Sequence, residues 1–445
     1  MLKRRAARAA RNISADQAAA LVESNTWLDY GVSTCQPDAF DRALARRVGE
    51  LHDVKIRSCL TTKPRAVLEA DPQGRHLHWF SWHFSGYDRR QHDAGRCNYL
   101  PLNLGEVPDY YRRFLDPVDL VVLKTCPKDE NGYYNFSVSN MWHRALIERA
   151  RRVIVETAST LPYVYGEYNA VHESEVDFVI DGDSEPHAEL PNPPPSPIDR
   201  AVAGRIAAEV DDGACIQVGI GGMPNAVCTL LADSGVRDLG VHTEMLTDGI
   251  LALVRAGRVT GARKTLDPGR IVFTFALGSR DLYATVDRNP DMWCCPVDYT
   301  NLPHLIMRND RVVSINNTTQ VDLQGQAASE SDGHRHISGT GGQLQFVRGA
   351  YASNGGKSFI CLAATYDKHG ERRSRIVLNL TPGNVVTTPR SDVMYVVTEY
   401  GIVNLKGRSV AERARGMISL AHPDFREGLE RQAYEHRLIP RGVRF

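Results

Sequence analysis

Short apolar, β-branched runs alternate along this chain with amphipathic stretches, and Gly, Pro and Asn fall between them. Trp27–Gly31, Val54–Cys59, Val118–Leu123 and Val153–Thr157 read as buried strands. Ala15–Glu23, capped by Ser14, and Pro37–Leu51 read as helices, and Asp129-Glu130-Asn131-Gly132 reads as a turn. The alternation resumes later with a helix over Ala201–Glu209, a strand over Ala214–Val218 and a helix over Ala226–Ala232. A short strand with Leu239 and Val241 inward follows, then a helix from Met245 to Val254. Strand–helix alternation of this kind predicts α/β architecture.

Pro191-Asn192-Pro193-Pro194-Pro195-Ser196-Pro197 interrupts the pattern. Such a run cannot continue a helix or a central strand, so it reads as a semi-rigid linker. The expected organisation is a basic tail (1–13), an α/β domain (14–190), the linker (191–198) and a second α/β domain (199–445). Each domain is expected to be an open αβα sandwich. The length of 445 residues suits two domains better than one core.

Composition narrows the function classes. Lys+Arg and Asp+Glu are equal at 53 each, which gives no net field for nucleic acid or an anionic membrane. With 42% hydrophobic and 24% charged residues the chain has a globular mix, and no apolar run is long enough to span a membrane. Met1-Leu2-Lys3-Arg4-Arg5-Ala6-Ala7-Arg8 is basic but lacks the apolar core of a signal peptide. The nine cysteines form no C-x-x-C pair, so reduced thiols and a cytoplasmic location are expected. Fifteen histidines include no H-E-x-x-H, and no metal site is expected.

Three stretches carry candidate chemistry. His242-Thr243-Glu244 ends a short strand, where ligands gather in open α/β sheets. The turn Gly219-Ile220-Gly221-Gly222-Met223-Pro224-Asn225 joins a strand to a helix, and its backbone N–H groups can approach an anion closely. It lacks the last glycine of a dinucleotide fingerprint, which weighs against a dehydrogenase. Ser338-Gly339-Thr340-Gly341-Gly342 is a second source of backbone donors, followed by Arg348, which suits either a substrate anion or a local acid. Glu399 also ends an apolar strand, and the residues alone do not rank it below Glu244. Asn316 reads equally as a site amide or a structural strand-end residue. Trp79, Phe80, Trp82, Phe84 and Tyr87 read as core or as pocket lining.

Six motifs in order resemble the acetyl-CoA hydrolase/transferase family, which includes 4-hydroxybutyrate, butyrate:acetate and itaconate CoA-transferases. They are Gly219-Ile220-Gly221 with Pro224-Asn225-Ala226; Leu239-Gly240-Val241-His242-Thr243-Glu244-Met245; Val313-Ser314-Ile315-Asn316 with Val321-Asp322-Leu323-Gln324-Gly325-Gln326; Ser338-Gly339-Thr340-Gly341-Gly342-Gln343; Val397-Thr398-Glu399-Tyr400-Gly401; and Ala421-His422-Pro423-Asp424-Phe425-Arg426. Val171-His172-Glu173-Ser174-Glu175-Val176-Asp177 matches more loosely. Gln345 and the loop Ser33-Thr34-Cys35-Gln36-Pro37 depart from the family pattern.

The resemblance implies the CoA-transferase type of two-domain α/β fold and a ping-pong reaction through a glutamyl-CoA thioester at Glu244. Gly221, Gly222, Asn316, Gly341 and Gly342 are then the expected oxyanion and thioester donors, and Gly219, Pro224 and Asn225 the expected CoA contacts. The implied substrates are an acyl-CoA and a small carboxylate such as acetate, butyrate, 4-hydroxybutyrate, succinate or itaconate. No tightly bound cofactor is expected, and the implied assembly is a homodimer or a higher homo-oligomer. An acyl-CoA hydrolase using the same glutamate, or a silent CoA-binding relative, are the alternatives.

Overall fold

The computed structural model describes residues 9–116, 118–191 and 194–440. Most of the expected basic tail and part of the proline-rich run fall outside them. The chain forms two compact units, Met1–Pro191 with Val272–Thr300, and Asn192–Ile271 with Asn301–Phe445.

The first unit is built on parallel strands β1 (Arg11–Asn12), β2 (Trp27–Val32), β3 (Val54–Cys59), β4 (Leu77–Ser81), β5 (Cys97–Tyr99), β6 (Leu120–Thr125), β7 (Arg152–Thr157) and β8 (Phe178–Asp181). Their order is β1-β8-β7-β6-β2-β3-β4-β5. The chain moves outward from β2 through β3, β4 and β5, then returns to the other side of β2 with β6. On one face Leu28, Tyr30, Ile56 and Trp79 pack against helices that contribute Ala18, Phe40, Leu44 and Val67. Asp29 points to the opposite face, as strand alternation requires, and accepts a hydrogen bond from Tyr111 on the helix Val107–Arg113. Helices therefore cover both faces. Trp79, Trp82, Phe84 and Tyr87 are buried core residues, while Phe80 is half-buried against Trp27.

Residues 272–300 cluster with this unit rather than with the rest of the second half, so 199–445 is not one uninterrupted unit. Backbone bonds hold them there, from Asn140 N–H to the Thr274 carbonyl (3.0 Å), Ala276 to Val138 (2.8 Å), Cys294 to Tyr165 (2.8 Å) and Val297 to Met141 (2.8 Å). Gly166 lies so close that a Cβ would fall 1.9 Å from the Cys294 carbonyl oxygen.

The second unit contains β9 (Cys215–Val218), β10 (Gly240–His242), β11 (Val312–Asn317), β12 (Lys357–Cys361), β13 (Tyr395–Thr398) and β14 (Gly401–Asn404). They run in the order β10-β9-β11-β12-β13-β14, parallel except for the final hairpin. The chain reverses direction across the sheet between β9 and β11, which places a ligand crevice at their carboxyl ends.

Several element boundaries differ from those the pattern predicts. The first helix is Ala15–Ala19, its Ser14 cap intact, and the second is Ala39–Ala45 followed by a short turn of tighter helix. The helix after the proline run begins at Pro197, where a proline at the first position lacks only an N–H that would be orphaned anyway. Pro224 is accommodated in the same way in the first turn of the helix Gly222–Asp233. Met245–Leu246 is extended, and the helix expected from Met245 begins instead at Asp248 and ends at Arg255. All nine cysteines are buried free thiols. Among the described residues no helix is long and apolar enough to cross a membrane, and no cluster of His, Cys, Asp or Glu is arranged to hold a metal ion.

Candidate active site

Glu244 follows β10, every residue of which is buried. Gly240 packs directly on Lys264, where a Cβ would lie 2.4 Å from the lysine Cγ. The buried Lys264 ammonium donates to the carbonyls of Val241 (3.0 Å) and Arg270 (2.6 Å), fixing the strand at the very next residue. Thr243 is fully buried, and its hydroxyl folds back to donate to the Met245 carbonyl at 3.1 Å. This local bond holds Met245 extended and turns Glu244 out of the strand.

Glu244 is half-buried, and its carboxyl receives two donors. Asn301 Nδ2 donates to Glu244 Oε2 at 2.6 Å, and the Gly342 backbone N–H also donates to the carboxylate. Burial pushes the carboxyl up to about 7, against the opposing pull of these two hydrogen bonds. Gly342 caps the helix Gln343–Ala352, and no larger residue fits there. A Cβ would lie 2.2 Å from Glu244 Oε2 and 2.3 Å from Asn301 Nδ2. Gly341 precedes it at φ 57°, in the left-handed region glycine tolerates. A carboxylate held by one amide and one backbone N–H, and titrating near neutrality, can act as a nucleophile or as a base.

The other expected residues form a second group. Asn316 is buried, and its Nδ2 donates to Gln217 Oε1 (3.1 Å) and Ser314 Oγ (2.9 Å) while its Oδ1 accepts from Gln217 Nε2 (3.3 Å). The amide on Glu244 comes from Asn301, which the sequence reading did not single out. Asn301 ends the short helix Val297–Asn301 and lies far along the chain from Glu244, so no spacing signals it.

Gly219 donates to the Ile315 carbonyl (2.9 Å) and Asn317 Nδ2 to the Ile220 carbonyl (3.1 Å), which seats the glycine turn at the crevice between β9 and β11. Gly221, at φ 118°, begins the helix Gly222–Asp233 without any side-chain cap. Asp199 flanks this turn, since a Cβ on Gly222 would lie 2.9 Å from its carboxylate. Asn225 N–H donates to the Gly221 carbonyl (3.1 Å), and its side-chain oxygen faces Gly249, where a Cβ would approach it to 3.0 Å. Asn225 therefore packs on the neighbouring helix.

Glu399 is separated from Glu244 by its partners. Its Oε2 accepts the Ala364 N–H (2.9 Å), and its carbonyl accepts from Arg205 (2.9 Å), so it ties the turn after β13 to the loop after β12. Of the two readings open for Arg348, the structure shows the local one, with Nε 2.8 Å from Asp392. Lys357 bonds to Glu209, and Lys406 to the Ser391 carbonyl.

Comparison with known proteins agrees along nearly the whole chain. The acetyl-CoA hydrolase/transferase N-terminal domain matches residues 2–191, and the C-terminal domain of the same name matches residues 278–433. A butyryl-CoA:acetate CoA-transferase of Anaerostipes caccae is 43% identical over 423 residues, covering 94% of this chain and 95% of that protein. A succinyl-CoA:cyclohexane-1-carboxylate CoA transferase of Geobacter metallireducens is also 43% identical, over 94% of this chain and 93% of that one. The crystal structure of RipA from Yersinia pestis superposes with a TM-score of 0.88 at 38% identity, covering 96% of this chain and 98% of that chain. The chain belongs to the acetyl-CoA hydrolase/transferase family.

Proposed function

We propose that this protein is a CoA-transferase that moves CoA between an acyl-CoA and a free carboxylate, with Glu244 as its nucleophile. The observation that carries this reading is the pairing of Asn301 and Gly342 on the carboxyl of Glu244. Ionised Glu244 attacks the thioester carbonyl, the C–S bond breaks, and a mixed anhydride and CoA thiolate form. The thiolate then attacks the glutamyl carbonyl, and the donor's acid departs as a carboxylate. An incoming carboxylate attacks the resulting glutamyl-CoA thioester, and the same two steps in reverse release the new acyl-CoA and restore Glu244. Anions replace anions at each step, so no proton has to be moved.

A carboxylate nucleophile retains the thioester's energy as an anhydride, which water would discard. Glu244 Oε2 becomes the carbonyl oxygen of the glutamyl thioester, and negative charge gathers on it in the tetrahedral intermediates formed at the glutamyl carbon. Donors already directed at it stabilise that charge without reorganisation. The uncapped start of the helix Gly222–Asp233, with Gly219 and Gly221 in the preceding turn, suits the anionic parts of CoA. The substrates are short-chain or small dicarboxylic acyl groups of the acetate, butyrate, 4-hydroxybutyrate, succinate and itaconate class. The enzyme works as a cytoplasmic homo-oligomer without a tightly bound cofactor.

The test is to mix the protein with short acyl-CoAs in the absence of an acceptor acid and to map any CoA thioester by mass spectrometry. A CoA adduct on the Glu244 peptide, discharged by acetate or butyrate with formation of new acyl-CoA, is the expected result. An adduct that decays in water at the same rate with or without acids would replace transfer by hydrolysis. Absence of an adduct, with full activity in Glu244→Ala, would remove Glu244 from the chemistry.

A further inference from the structure

The Gly342 N–H is useful only if the backbone holds it against the Glu244 carboxyl, and a Gly341-Gly342 pair has little stiffness of its own. Stiffness has to come from its neighbours. Thr340, two residues before Gly342, donates its hydroxyl to Glu330 Oε2 at 2.9 Å. Glu330 is buried, and its other oxygen accepts the Thr387 hydroxyl at 2.9 Å. Thr387 is itself fixed, because its hydroxyl accepts the Ser329 N–H (3.0 Å) and its own N–H donates to the Ala327 carbonyl (2.9 Å).

The residue after Gly342 is tied to the same segment. Gln343 Nε2 donates to Thr388 Oγ1 at 3.1 Å, and Thr388 exchanges both backbone bonds with Ala327, at 3.0 and 3.1 Å. The glycine pair is thus held on both sides by one anchored stretch, residues 387–388. Glu330 also closes the base of the loop through its carbonyl, which accepts the N–H groups of Ile337 (2.9 Å) and Ser338 (3.4 Å).

We propose that Glu330 is a positioning residue for CoA transfer, its carboxylate linking Thr340 to Thr387 so that the Gly342 N–H stays directed at Glu244. The role rests on Glu244 being the nucleophile. Glu330 does not touch the reacting atoms and acts through the turn. Loosening that turn weakens a hydrogen bond that favours ionised Glu244 and leaves acyl-CoA binding largely alone.

The test uses the full chain with Thr340→Val, Glu330→Gln, their double variant and Thr340→Ser, assayed with the acyl-CoA that loads Glu244. Loss of one oxyanion donor costs about 100- to 1,000-fold in enzymes generally, so loosening one is expected to lower kcat by about tenfold in Thr340→Val. KM for the acyl-CoA stays within about twofold, since Thr340 and Glu330 act through the turn rather than on the bound acyl-CoA. The acidic limb of the kcat/KM profile moves to higher pH, because the Gly342 bond holds the Glu244 carboxyl down. The double variant loses less than the product of the single losses, as expected for one connected path. Thr340→Ser, which keeps the hydroxyl, restores both kcat and the limb.

Unchanged kcat and an unmoved limb in folded Thr340→Val and Glu330→Gln proteins would overturn the proposal. So would a fall in kcat that matches the loss of folded protein and leaves the limb in place. An active Glu244→Ala enzyme overturns the nucleophile and the positioning role together. An inactive Glu244→Ala beside unaltered Glu330→Gln and Thr340→Val overturns the positioning role alone.

Discussion

Two glutamates, one in each unit, show how the same side chain becomes a structural part or a reagent. Glu156 on β7 is fully buried, and its carboxylate accepts the backbone N–H groups of Asp38 (2.7 Å), Ala39 (3.1 Å) and Phe40 (2.9 Å). These are orphan donors at the start of the helix Ala39–Ala45, whose own cap residue, Asp38, makes no side-chain cap bond. Gly182 packs on Glu156 so closely that a Cβ would lie 2.5 Å from its Cγ. Glu244 instead receives one side-chain amide and one N–H, and keeps part of its surface open. Three donors from a rigid helix start engage a carboxylate fully. Two donors at an accessible site orient it and leave it able to react.

The widest separation between the two should come from Glu244→Ala. Loss of the nucleophile is expected to lower transfer by at least about 10⁴-fold, read in a steady-state assay of acyl-CoA formation. Glu156→Ala should do its damage to the fold instead. Three backbone donors would be left without partners, at a cost of about 3–5 kcal/mol in a denaturant titration. A large loss of stability in the first variant, or none in the second, would break the contrast.

A smaller change tests the donors at Glu244. Asn301→Ala should lower kcat about 100- to 1,000-fold, as for loss of one oxyanion donor. Its acidic limb should also move upward in pH relative to wild type, because the Asn301 bond favours the ionised form. A limb that stays in place would mean that the amide does not act on the reacting carboxyl.

The smallest effect concerns stability. The folded-state carboxyl of Glu244 titrates at about 7, above its ordinary 4.5, so ionisation opposes folding at this site. Below pH 4.5 the group is neutral in both states and there is no penalty; the penalty grows as pH rises and is complete above about 7. Glu244→Gln should therefore melt higher than wild type at pH 8, with the gap closing by pH 4. A gap independent of pH would assign the effect to packing.

The residues explain what sequence could reveal here. A strand end followed by a turn makes Glu244 a candidate, since open α/β sheets place chemistry there, and it is the resemblance that singles it out; two adjacent glycines mark the close approach at Gly342. Glu399 has the same local pattern; the resemblance ranks it below Glu244, and in the structure its carboxylate accepts the Ala364 N–H. The resemblance makes Asn316 an expected thioester donor, yet its amide is turned to Gln217 on the neighbouring β9 and to Ser314 on its own strand. Strand position fixes where a side chain starts and not which neighbour it meets. Asn301 reaches Glu244 from a five-residue helix whose place depends on tertiary packing. The extended Met245–Leu246 pair was hidden by its apolar character, which suits a helix start equally well, while the Thr243 hydroxyl decides the outcome.

The detour of residues 272–300 bears on how the protein is made. During synthesis the first unit lacks these residues until position 300 has left the ribosome, although the eight strands of its parallel sheet are finished by Asp181. Meanwhile β9 and β10, with Glu244 just beyond them, belong to the chain that precedes the detour and are already synthesised. Asn301 is the first residue after it, so the donor arrives at its carboxylate only once the other unit's missing piece has been delivered. Completion of the first unit and assembly of the reactive pair are consecutive events on one growing chain.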